Sequence, residues 1–184
     1  MKKTKKIQKQ ISKKILNKGK KKSITKFSFD KKMLLFFLKF FGIFIILSIM
    51  IPFLDFSFLE NFITFISASY LGLLFNGNMI FVNGTTFIVT SSCTGLVSAS
   101  ILASLIFSLK KPAIKEKLFL FIFGLCFLLV VNIPRVMLVL LSAKIGFDVE
   151  IVHPLTWFLM SAIVILIWYY GNKSLGIKNF NKML

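Results

Sequence analysis

The stretch LLFFLKFFGIFIILSIMIPFL, residues 34–54, decides the fold. It carries one charge, Lys39, close to its start. At about 1.5 Å per residue, a helix of this length spans roughly 30 Å, the thickness of a bilayer's hydrocarbon core. It follows more than thirty residues of basic tail and exceeds the roughly 7–15 apolar residues of a signal-peptide core. A retained membrane anchor is therefore expected here.

The rest of the chain agrees with that reading. Of 184 residues, 57% are hydrophobic, the mean hydropathy is +0.84 and the formal net charge is +18. A soluble domain of this size could not hide so much apolar surface. Further apolar segments run from Thr94 to Leu109, from Leu118 to about Ala143 and from Pro154 to Tyr170. The sequence thus predicts an all-α polytopic membrane protein of about four to five transmembrane or membrane-embedded helices. Residues 1–32 form a lysine-rich tail, 33–171 the membrane-embedded domain and 172–184 a second tail.

Residues 1–32 hold fourteen lysines and one acid, Asp30. Ile7, Ile11 and Ile15 recur at helical spacing, which fits a short amphipathic surface helix, but the favoured reading is a cytoplasmic topology signal with a flexible tail attracted to the anionic leaflet. Nothing in the tail resembles a nucleic-acid fold with aromatic readers. Lysines also crowd KKPAIKEK, residues 110–117, and the C-terminal tail. Basic segments stay in the cytoplasm, so all three should lie on that side of a cell membrane. Leu54 and Cys93 then both face outward, and residues 58–75 should lie on the outer surface or dip in and return.

Within NGNMIFVNGTTFIVT, residues 76–90, strand formers flank Asn83-Gly84, which is a strong hairpin signal. An open ribbon cannot sit in lipid, so an extracytoplasmic β-hairpin is predicted just before the cysteine helix. Asn83-Gly84-Thr85 also fits a glycosylation sequon.

Three side chains converge under this topology. SSCTGL places Cys93 at the outer start of one helix. Arg135, the only arginine, lies in VNIPRV near the outer part of the next, and His153, the only histidine, lies in IVHP at the entrance of the last. Only a thiolate attacks well, and a helix N-terminus capped by Ser91 or Ser92 would favour that anion. Arg135 would stabilise a thiolate or an oxyanion without giving up a proton. His153 would serve as general acid and base. Asn132, one turn below, would orient the arginine. Burying an arginine in apolar sequence costs about 2.5–3.5 kcal/mol even on the lower insertion scales, which argues for a role. Cys126, in FGLCFLL, has only apolar neighbours and lies too deep to bridge Cys93. No CxxC pair or Cys/His cluster suggests a metal, and no cofactor is implied.

Cys-Thr-Gly opening a membrane helix, Asn-x-x-Arg in the next and His before the last resemble the exosortase/archaeosortase family over roughly residues 70–170. GTTFIVTSSCTGL is similar to that family's strand and turn before its cysteine. The resemblance implies a membrane cysteine transpeptidase, with Cys93 as nucleophile, Arg135 as anion stabiliser and His153 as acid/base. Its partners would be surface-protein precursors bearing a short motif, a hydrophobic helix and basic residues, with a membrane lipid as acceptor. Many members carry serine where Thr94 stands. The absence of extra spans favours the short archaeal branch. Two rivals are a protease that hydrolyses rather than transfers, and a non-enzymatic subunit of an envelope or secretion complex.

Overall fold

The computed structural model describes residues 31–175. The lysine-rich tail and its isoleucine repeat lie outside the described residues, as does the end of the C-terminal tail. Helix α1 covers Lys31–Met50 and passes into a 3-10 turn at Ile51–Phe53, where Pro52 ends the regular hydrogen bonding. None of its residues is buried. Phe36, Phe40 and Phe44 stack at four-residue intervals along it. A helix apolar all round, with every backbone group satisfied within itself, is suited to a lipid environment.

Helix α2, Ser57–Leu71, starts where the Asp55 carboxylate accepts the Ser57 backbone N–H at 2.9 Å. That bond, with a second from the Ser57 side chain, holds Asp55 below the usual carboxylate range. Strands β1 (Leu74–Asn76), β2 (Met79–Val82) and β3 (Thr85–Ile88) follow. The expected hairpin is present, with Val82 opposite Thr85 and left-handed backbone at both Asn83 and Gly84. The ribbon is wider than expected, because Leu74–Asn76 pairs with β2 to complete a three-stranded antiparallel sheet. Asn76-Gly77, a second Asn-Gly pair, starts that extra turn.

A 3-10 turn at Ser91–Thr94 leads into α3, Leu96–Ser108. Helix α4 runs unbroken from Ile114 to Lys144, through Pro134, and α5 runs from Val149 to Ser174. Three helices, Lys31–Phe53 with its terminal turn, α4 and α5, are long and apolar enough to cross a membrane, and α3 is a shorter apolar helix. The chain is thus an all-α polytopic membrane protein with one small sheet.

Two apolar clusters hold it together. Ala99, Leu102 and Ile106 of α3 pack with Leu120 and Leu128 of α4 and with Met160 and Val164 of α5. Ile63 and Ala68 of α2 pack with Ile80 and Val82 of β2, Val89, and Val136 and Leu140 of α4. Cys93 borders the second cluster. The far end of α4 ties this cluster together with polar bonds. Lys144 donates to the Leu71 carbonyl, and the Asn83 amide donates to the carbonyls of Ala143 and Lys144. The Asn83 side chain of the Asn-Gly-Thr sequon is thus hydrogen-bonded to the end of α4.

Candidate active site

The cysteine turn departs from the simple helix start expected from SSCTGL. Ser91 and Ser92 lie inside the 3-10 turn, and neither caps α3. Gly95 instead breaks the chain between turn and helix with φ +91°, a backbone that side-chain-bearing residues rarely adopt. Space enforces the same choice. A Cβ at Gly95 would stand 3.3 Å from the Asn132 Cβ and 3.5 Å from the Leu128 carbonyl oxygen. The turn is closed by the Cys93 N–H donating to the Thr90 carbonyl at 2.7 Å and by the Thr94 hydroxyl donating to the Ser91 carbonyl at 2.6 Å. A serine hydroxyl at position 94 could make the same bond.

Asn132 links the turn to α4. Its amide nitrogen donates to the Cys93 carbonyl, and its oxygen accepts the Arg135 Nη1–H at 3.1 Å. One fully buried side chain therefore fixes the cysteine backbone and the guanidinium together. Asn132, expected from the sequence to orient the arginine, thus contacts both the guanidinium and the cysteine turn.

Arg135 is only 6% exposed. Its Nε donates to the Thr156 hydroxyl at 3.3 Å, and its Nη2 lies 3.4 Å from His153 Nε2. Its guanidinium carbon stands 4.7 Å from the centre of the Trp157 ring. None of these partners is a carboxylate. The buried cation is held by neutral groups, so its charge remains available to an incoming anion. Trp157 also donates its indole N–H to His153 Nε2 at 3.3 Å, and Thr156 donates its hydroxyl to the His153 carbonyl at 2.7 Å.

Cys93, Arg135 and His153 line one cavity of about 130 Å³, together with Phe87, Val89 and Val149. The Thr90 hydroxyl lies 3.7 Å from the Cys93 sulfur. Thiol, guanidinium and imidazole thus meet from three separate chain segments. Cys126 is a second free thiol, on the exposed surface of α4 and not among the residues lining this cavity. Among the described residues, no group of His, Cys, Asp or Glu gathers to hold a metal ion.

Sequence reasoning missed Thr156 and Trp157. Both were within reach of it. They lie three and four residues beyond His153, one helical turn on, where side chains share a face. Thr90 was also missed, and its position three residues before Cys93 gives no signal until the tight turn is seen.

The family described as Transmembrane exosortase (Exosortase_EpsH) matches residues 28–172. That match covers most of the chain and all of the cavity residues. No curated protein and no solved structure matches the chain.

Proposed function

The chain belongs to the transmembrane exosortase family, and from that premise we propose that it is a membrane cysteine transpeptidase whose nucleophile is Cys93. Exosortases are cysteine-type transpeptidases that act on proteins bearing C-terminal sorting signals. The observation that carries the reading for this chain is the shared cavity. It joins the thiol to a buried guanidinium that has no carboxylate partner among the described residues, and to the only imidazole in the sequence.

In this account the Cys93 sulfur attacks the carbonyl carbon of the scissile peptide. Arg135 stabilises the oxyanion, the C–N bond breaks and a thioester forms. The thiol proton travels through His153 to the departing nitrogen. An amine on the acceptor, read here as a membrane lipid, then attacks the thioester and restores the thiol. Asn132 keeps the Cys93 backbone and Arg135 in register throughout.

The orientation follows from helix lengths and charge. Helix α4 has 31 residues and is about 46 Å long, some 16 Å more than the hydrocarbon core. We read its lysine-flanked start as cytoplasmic and its far end as projecting outside. Lys144 and Asn83 bind α2 and the sheet to that projecting end. Helix α2 is then an outer-surface helix, and both termini are cytoplasmic. The substrate's own membrane helix would bring its cleavage motif to the outer face beside Cys93. We read the chain as an archaeosortase-like member, on the order of its Cys-Thr-Gly, Asn-x-x-Arg and His motifs.

A Cys93→Ser variant tests the chemistry. At matched protein levels, the account expects loss of surface-protein processing, because a serine hydroxyl in this setting lacks the reactivity of a thiolate. Normal processing by the serine variant would favour a scaffold role.

A further inference from the structure

His153 Nε2 has two neighbours, and both are donors only. An indole N–H has no lone pair to offer, and a guanidinium accepts no hydrogen bond. Trp157 Nε1 stands at 3.3 Å and Arg135 Nη2 at 3.4 Å from that nitrogen. A proton on Nε2 would oppose both. The ring must therefore be neutral there, with its lone pair engaged, and its one N–H must be on Nδ1. The His153 and Trp157 rings meet edge to face, with centroids 6.3 Å apart, and the ring edge borders the Cys93 cavity.

The geometry points to Trp157 as a positioning residue that, with Arg135, holds His153 as the neutral Nδ1–H tautomer until substrate draws Arg135 away. The inference rests on the roles proposed above only for its consequence. In the resting site the histidine's single lone pair is occupied, so it is not an open base for the thiol. When a scissile carbonyl enters, Arg135 Nη2 turns to its oxygen and the ring turns off the Trp157 N–H, which together free Nε2. The Cys93 S–H proton then moves to Nε2 as the C–S bond forms, giving an imidazolium. The same proton passes from Nε2 to the leaving nitrogen as the C–N bond breaks, and the neutral Nδ1–H ring is restored.

Trp157 has two separable functions. Its ring faces the Arg135 cation, and its N–H selects the histidine tautomer. Phenylalanine keeps a ring face and deletes the N–H.

Nitrogen-15 spectra of the full chain in lipid nanodiscs would read the tautomer directly, since the sequence has a single histidine. Wild type should show one tautomer, protonated on Nδ1, with a coupling across the hydrogen bond between the Trp157 indole nitrogen and His153 Nε2. Trp157→Phe should lose the coupling and raise the fraction protonated on Nε2, since Arg135 alone then opposes it. A wild-type ring protonated on Nε2 would overturn the inference, as would an unchanged tautomer in Trp157→Phe. Should that variant fail to fold, the coupling in the unaltered protein decides, and its absence refutes the bond. Cys93→Ala should keep the Nδ1–H tautomer. Unchanged surface-protein processing in Cys93→Ala would therefore sink the transpeptidase reading while leaving the tautomer assignment standing.

Discussion

Gly95→Ala is the substitution whose effect the structure fixes most closely. Two costs add at this position. A side-chain-bearing residue in left-handed backbone loses about 1–2 kcal/mol. The new Cβ would also press on the Asn132 Cβ at 3.3 Å, an overpacking worth about 1–3 kcal/mol. Gly72→Ala supplies the control. Gly72 has φ +63° with nothing within 4 Å of its Cβ position, so it bears only the first cost. The predicted gap between the two variants is the overpacking term. In a chain of this length that corresponds to a difference in melting temperature of about 2–12 °C. Activity should separate them further. Asn132 is the side chain pressed, and it holds both the Cys93 carbonyl and Arg135. A displacement of 1 Å in catalytic geometry costs on the order of 100-fold. Thermal unfolding in detergent and processing in cells at matched expression would measure both quantities. Equal stability and equal activity of the two alanine variants would refute the claim that Gly95 exists to let the cysteine turn approach Asn132.

Further outcomes follow from the same contacts. Arg135→Lys keeps the charge but cannot reproduce three directed N–H bonds to Asn132, Thr156 and His153. Processing rates should fall about 100- to 1,000-fold, the usual loss for an oxyanion donor, and full activity in a rate assay would count against Arg135. Asn83→Ala removes two hydrogen bonds to the end of α4 and puts a Cβ residue without side-chain compensation at φ +49°. A stability loss of about 2–4 kcal/mol is expected in thermal unfolding. A membrane-impermeant thiol reagent applied to intact cells carrying Cys126→Ala should label Cys93. Labelling only after permeabilisation would reverse the proposed orientation.

Much of this was legible in the sequence, because membrane helices announce themselves by continuous apolar composition. Residues 34–54 needed no tertiary information to be read as a span. Asn83-Gly84 likewise fixed its own turn, since few dipeptides accept two left-handed residues in succession. The local details were less accessible. Leu74–Asn76 looked like the end of an apolar segment, and only pairing with β2 makes it a strand. Ser91 and Ser92 matched the composition of a helix cap, but the close approach of Asn132 at Gly95 delays the helix to Leu96. For the site, rarity and a shared outer placement singled out Cys93, Arg135 and His153, and the fold was needed to show the cavity they line. Trp157 stayed hidden because an aromatic residue in an apolar helix is ordinary until its N–H is seen to meet an imidazole.

The most direct test compares the C-terminal peptides of surface proteins from cells carrying the wild-type chain with those from cells carrying Cys93→Ala, at matched levels, by mass spectrometry. The account predicts that hydrophobic C-terminal tails persist only in the alanine strain, and that the wild-type C-termini carry the added mass of a lipid. Identical processing of every tail in both strains would contradict it.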